Sequence, residues 1–146
     1  MKKILNLGRK IIPKPVFEFF QPGYHLALAY LAALVYGFPS RRIKVMGVTG
    51  TKGKSSTVYF LSRIFEGAGY KTAAISTIQF KIAGKEWPNN LKMTMPGRFA
   101  IQSFLSKAVK AGCQFVVLEV SSQGILQHRH RFINFDTAVF TKLAPE

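Results

Sequence analysis

From residue 43 onward, apolar positions recur with two alternating periods. Ile43–Val48 (IKVMGV) is a short apolar run rich in β-branched residues, which predicts a buried strand. Gly50–Gly53 predicts a turn. Over Ser55–Glu66, Val58, Leu61, Ile64 and Phe65 fall on one side of a helical wheel, predicting a helix that stops at Gly67 and Gly69. Lys71–Ser76 reads as a second strand. Ile78–Trp87 reads as a hairpin turning at Ala83-Gly84. Gly97–Ala111 predicts a helix with Ile101, Phe104, Leu105 and Val109 apolar. Phe115–Val120 (FVVLEV) predicts a third buried strand, and Thr137–Phe140 (TAVF) a fourth, short one. Strands alternating with helices predict an α/β fold, a mostly parallel sheet with helices on both faces.

The first 43 residues follow a different pattern. Pro13, Pro15 and Pro22 interrupt them, predicting a short helix near Val16–Phe20 and a longer one near Tyr24–Tyr36. The apolar stretch Leu26–Phe38 lies between the basic group Lys2, Lys3, Arg9, Lys10, Lys14 and a second group, Arg41, Arg42, Lys44. Thirteen residues fall short of the ~20 that a membrane-spanning helix needs. Two readings stay open: a helix packed on the rest of the fold, or a helix lying on a membrane surface with its flanking cations held by anionic lipid. The chain thus divides into a basic, apolar helical segment, 1–43, and an α/β unit, 44–146.

Composition narrows the partners more than the fold. The 146 residues carry a formal charge of +15, which favours an anionic partner: nucleic acid, a phosphorylated small molecule or an anionic surface. No recognised nucleic-acid motif accompanies that charge. Cys113 is the one cysteine, which excludes a disulfide framework and fits a reducing, cytoplasmic compartment.

The strongest chemical signal is Val48–Thr57 (VTGTKGKSST), set between a predicted strand and a predicted helix. Gly50 and Gly53 allow the backbone to turn tightly and aim the N–H groups of Gly50, Thr51, Lys52, Gly53, Lys54, Ser55 and Ser56 at one phosphate tail. The following helix adds partial positive charge at its N-terminus. Lys54 can reach the β- and γ-phosphates of ATP, and the Ser55 hydroxyl can bind Mg²⁺. Val48 occupies the place where the common phosphate-loop pattern has its first glycine.

This TGTxGK[ST][ST] form resembles the ATP loop of the Mur ligases, and equally that of the folylpolyglutamate synthases, both ATP-dependent amide-bond ligases. The second half separates the branches. Glu119–Arg129 (EVSSQGILQHR) resembles the EVSSH…QHR segment of the UDP-N-acetylmuramoyl-tripeptide synthetase branch. Thr94-Met95-Pro96 resembles that branch's Thr-Thr-Pro element, Ser76-Thr77-Ile78 its Gly-Thr-Ile element, and Phe135–Leu143 its following strand and loop. The resemblance covers about residues 45–146. It implies a partial P-loop NTPase-like central domain of a ligase using ATP and Mg²⁺ to join an amino acid to a UDP-N-acetylmuramoyl-peptide through an acyl phosphate.

Individual residues follow from it. Glu119 ends an apolar strand, where ligands of open α/β sheets bind, and the resemblance gives it a Mg²⁺-binding, catalytic role beside Lys54. A salt bridge to one of the many cations is the alternative for Glu119. Ser76, Thr77, Thr94, Ser122, Gln127 and Arg129 match positions that hold the nucleotide-sugar peptide. Thr94 could equally cap the helix after Pro96, and Ser122 and Gln127 could satisfy loop backbone. Arg129 suits carboxylate or phosphate. His128 and His130 lack the spacing of a zinc site and read as ordinary polar residues. Gln123 stands where the motif usually has His, and Met95 replaces the second Thr. Residues 1–43 are too short and apolar to replace a uridine-gripping domain, and a metal-binding His, an assisting Lys and a C-terminal domain would follow residue 146, so the resemblance implies a fragment of a longer enzyme. Two rivals remain, a ligase for folate and a glutamate tail, and a non-catalytic module holding a nucleotide or another anion.

Overall fold

The computed structural model describes residues 14–91 and 93–143; Lys2, Lys3, Arg9 and Lys10 lie outside them. Six strands form one sheet: β1 (Lys44–Thr49), β2 (Thr72–Ile75), β3 (Gln79–Ile82), β4 (Lys85–Pro88), β5 (Phe115–Glu119) and β6 (Thr137–Phe140). Their spatial order is β4-β3-β2-β5-β1-β6. β2, β5, β1 and β6 run parallel, and the β3–β4 hairpin adds an antiparallel edge. The sequence predicts this class because β1, β2 and β5 are short apolar runs buried on both faces.

Helices cover both faces: α1 (Lys14–Val35), α2 (Lys54–Gly67), α3 (Arg98–Lys110) and the single turn α4 (Ser122–Leu126). Side chains alternate across the sheet with period two. Val116 and Leu118 of β5 join Ala73 and Ile75 of β2 in one core with Ile101, Phe104, Leu105 and Ala108 of α3. Val117 and Ala74 face the other way and meet Val58 of α2. The hairpin turns where expected, and Ala83 and Gly84 both take positive φ, as a tight two-residue hairpin requires.

Two expectations give way to the structure. The N-terminal segment is one continuous helix, Lys14–Val35, running through Pro22 rather than breaking there. Proline removes one intrahelical hydrogen bond at a cost of about 3 kcal/mol; Ala29, Ala32 and Ala33, each at most 1% exposed, dock the following turns and offset it. Along α2 the buried side is Val58 and Ser62, while Ile64 is 64% exposed. Ser62 can face inward because its hydroxyl donates to the Tyr59 carbonyl at 2.8 Å. No described helix is long and apolar enough to cross a membrane.

One buried charge has no signal in the sequence pattern. Lys81 of β3 is fully buried; it pairs with Glu66 at the end of α2 and with Glu86 of β4 at 3.2 Å. Arg63 joins Glu86 at 2.8 Å. The four groups clamp the hairpin onto α2. Cys113 is buried in the core, and burial pushes its thiol above its ordinary value, which makes it unreactive.

Candidate functional site

The sheet register builds the site. β1 pairs with β5 so that Val48 lies opposite Glu119, and the chain leaves β1 directly into the glycine-rich loop. Glu119 is therefore brought beneath that loop by main-chain pairing alone.

The loop is closed by glycine geometry. Gly50 has φ of 136° and Gly53, the residue before α2, has φ of 83°. A Cβ on Gly50 would stand 2.3 Å from the Thr141 hydroxyl and 2.9 Å from the Lys142 carbonyl. The segment after β6 is stapled over the loop there. The Thr51 N–H donates to the Lys142 carbonyl at 2.9 Å, and the Thr141 hydroxyl donates to the Lys52 carbonyl at 2.7 Å. The sequence singles out Phe135–Leu143 only as a strand and loop; that Thr141 and Lys142 reach the glycine loop, some ninety positions back, has no local signal.

Lys54 and Ser55 open α2. The Lys54 ammonium donates to the loop's own carbonyls, Gly50 at 2.6 Å and Thr51 at 3.2 Å. The Ser55 hydroxyl donates to Glu119 Oε2 at 2.9 Å. That carboxylate is 3% exposed and also accepts the Thr77 N–H at 2.7 Å and the Thr77 hydroxyl at 3.0 Å. Thr94 Oγ1 lies 3.0 Å from the same Thr77 hydroxyl. Among the described residues Glu119 forms no salt bridge. A buried carboxylate held by hydroxyls and an amide next to a phosphate loop has donors suited to a hard divalent cation. Mg²⁺ characteristically takes one or two protein oxygens and completes its shell with phosphates and water, and Ser55 with Glu119 fits that pattern. An open cavity of ≈ 320 Å³ lies beside Ser55 and Ser56, walled by Tyr59, Phe60 and Ile78.

The remaining sequence-selected residues divide. Ser76 lines that cavity, but its hydroxyl is engaged in its own turn, 3.2 Å from both the Gln79 carbonyl and the Ile78 N–H. Thr94 does not cap α3; the residue before that helix is Gly97. Lys52, Ser56 and Ser122 are exposed. The cap of α4 is Ser121, whose hydroxyl accepts the Gly124 N–H at 3.1 Å. Met95 is buried under Gly124 and serves packing, with its carbonyl accepting Arg129 Nη1.

Gln127 and Arg129 form a second group next to the first, linked through the neighbours Thr94 and Met95. Arg129 donates to Gln127 Oε1 from Nε at 3.1 Å and from Nη2 at 2.6 Å. Arg98, at the start of α3, donates to the Gln127 carbonyl. The sequence reading missed Arg98, and the same is true of His25 on α1. Burial, then Arg98, His128 and Arg129, push the His25 ring below its ordinary value. Burial, followed by Arg131 and His128, does the same to His130. Burial lowers Arg129 and, with Arg129 beside it, Arg98. His25 Nδ1, Arg98 Nε, His128 Nδ1 and His130 Nδ1 are buried without a partner. No described carboxylate pairs with either arginine, so the cluster is short of negative charge.

Comparison with known proteins bears on the family and the fold. The family model described as Mur ligase middle domain matches residues 48–146. A UDP-N-acetylmuramyl-tripeptide synthetase of Roseiflexus sp. (strain RS-1) is 36% identical over 92% of this chain and 26% of its own length. A UDP-N-acetylmuramoyl-L-alanyl-D-glutamate–2,6-diaminopimelate ligase of Syntrophomonas wolfei is 38% identical over 86% of this chain and 25% of its own. The chain thus spans about a quarter of the length of these relatives. Among solved structures, a ligase of the second name superposes with a TM-score of 0.70 at 20% identity, covering 87% of this chain and 25% of that one. E. coli FolC in complex with DHPP and ADP superposes at 0.65 with 25% identity, over 83% of this chain and 34% of that one.

Proposed function

Because the chain belongs to the Mur ligase family through its middle domain, we propose that residues 44–146 are the ATP-binding unit of a cytoplasmic, ATP-dependent, ADP-forming ligase that extends a UDP-N-acetylmuramoyl-peptide by one amino acid. The hydrogen bond between Ser55 and buried Glu119, directly under the glycine loop, carries the reading. In this reading the substrate carboxylate attacks the γ-phosphate of ATP, and the amine of the amino acid then displaces phosphate from the acyl phosphate to make an amide. Two anions must meet, so positive charge has to offset their repulsion. Lys54 exchanges the Gly50 and Thr51 carbonyls for phosphate oxygens, and the loop amides supply further donors. Ser55 and Glu119 would hold Mg²⁺, which when bound supplies charge against the triphosphate. Thr77 and Thr94 orient Glu119. Gln127, Arg129 and Arg98 take an anionic group of the peptide substrate, which supports placing that substrate on the α4 side. Helix α1 packs beside this unit, on the α3 side, and contributes no strand to its sheet.

The test is Lys54→Ala in the full-length protein. Calorimetric titration with a non-hydrolysable ATP analogue and Mg²⁺ should show affinity falling by at least about tenfold, with the melting temperature kept. Unchanged affinity would refute the role. The superposition with FolC favours one second reading, a folate substrate with the same phosphate chemistry. Ligation of a UDP-N-acetylmuramoyl-dipeptide against ligation of a tetrahydrofolate separates the two, and EVSSQG…QHR favours the first.

A further inference from the structure

From Tyr24 to Val35, helix α1 buries three alanines and exposes most of its large apolar residues. Ala29, Ala32 and Ala33 pack against the fold, on the α3 side. The opposite side carries two neighbouring ridges at i, i+4 spacing: Leu26, Tyr30 and Leu34, and Ala27, Leu31 and Val35. Leu34 is 52% exposed and Val35 62%. Tyr24 extends the patch at one end, and Phe132, 5.3 Å from the Tyr30 ring, widens it at the other. A surface helix of a soluble domain shows water a polar face; from Leu26 to Val35 this one is apolar all round, so its outer face there is built to be covered.

The charge pattern says by what. From Phe19 to Ser40 there is no Asp, Glu, Lys or Arg. Lys2, Lys3, Arg9, Lys10 and Lys14 precede this stretch and Arg41, Arg42 and Lys44 follow it, against a single acid, Glu18. Arg41 sits over the Phe38 ring at 4.6 Å, and Arg42 donates to the Gly37 carbonyl at 3.3 Å, so two cations are held at the C-terminal end of the patch. A second copy would bring the same cations and repel them. An anionic surface attracts them.

We propose that the outer face of α1 lies in the surface of an anionic lipid bilayer, with Leu26, Leu31, Leu34 and Val35 at the acyl boundary and Arg41 and Arg42 among the headgroups. The helix lies in the interface and does not span it. Tyrosines suit that depth, since each ring is apolar with a polar tip. The proposal is independent of the nucleotide reading.

Co-sedimentation of the full chain with phosphatidylcholine vesicles containing phosphatidylglycerol tests it. Binding should exceed that to pure phosphatidylcholine and weaken as salt is raised. The double substitution Leu31→Glu and Leu34→Glu should lower binding by at least about tenfold, with melting temperature and ATP-analogue affinity unchanged. Arg41→Gln with Arg42→Gln should weaken binding and flatten its salt dependence. No binding by the unaltered chain would overturn the proposal. Equal binding by the leucine variant would also do so, since charge alone would then suffice. So would light scattering that shows a dimer which the leucine variant makes monomeric and vesicles do not compete away.

Discussion

Replacing Gly50 by alanine tests how tightly the phosphate loop is locked. The residue sits at φ of 136°, which side-chain-bearing residues rarely adopt, and strain of this kind costs about 1–3 kcal/mol. The new methyl would stand 2.3 Å from the Thr141 hydroxyl, 2.9 Å from the Lys142 carbonyl and 3.0 Å from the Lys142 nitrogen. The side chain can swing away, but the two backbone atoms cannot move without lifting the segment after β6. That would stretch the 2.9 Å hydrogen bond from Thr51 N–H to Lys142, worth about 1 kcal/mol. If the strain falls on the nucleotide-ready loop, affinity for an ATP analogue should drop roughly 5- to 150-fold. Thr141→Ala removes the closest contact and, by itself, only the hydroxyl's bonds to Lys52 and Thr49. The double variant should therefore recover part of the loss and not all of it, since the φ strain and both Lys142 contacts remain. The assay is calorimetric titration with thermal unfolding, run on all four proteins. A Gly50→Ala protein with unchanged affinity and melting temperature would refute the reasoning.

Further outcomes follow from other groups. Glu119→Gln keeps the shape and lets the amide oxygen accept Ser55 and Thr77 N–H while its NH₂ donates to the Thr77 hydroxyl, so stability should change by no more than about 1 kcal/mol; the enhancement of nucleotide binding by Mg²⁺ should vanish, and its persistence would exclude Glu119 from the ion's site. His25 and His130 are held below their ordinary values, so the unfolded chain takes protons first as pH falls past about 6.5. Stability should decline from there until the folded rings protonate, and His25→Gln should make the slope between neutral and mildly acidic pH shallower in urea titrations. Glu66→Gln with Glu86→Gln leaves Lys81 buried and unpaired, which should cost about 3–5 kcal/mol, read as a lower urea midpoint.

The glycine loop of the candidate site could be read from the sequence because its parts are local, whereas the residues grouped with it came from the family resemblance. Gly50, Gly53, Lys54 and Ser55 sit within one strand–turn–helix, and Glu119 ends an apolar run whose only pairing option is the buried centre of the sheet. What escaped the reading is long-range. Thr141 and Lys142 meet the loop from some ninety positions away, and Arg98 reaches Gln127 across twenty-nine. Lys81 looks like a solvated strand lysine until α2 brings Glu66 over it. Pro22 reads as a break because local propensity ignores the alanine stripe that docks the next turns. Ile64 reads as core because helical spacing alone does not tell which flank of an apolar stripe meets the sheet.

The central claim is that the glycine loop and Glu119 form one nucleotide site. The most direct measurement is a crystal structure with a non-hydrolysable ATP analogue and Mg²⁺. The account expects phosphate oxygens within hydrogen-bond reach of the amides between Gly50 and Ser56, Lys54 turned from its carbonyls onto the phosphates, and the ion bound between Ser55 and Glu119. Triphosphate bound elsewhere, or the ion lodged away from Glu119, would contradict it.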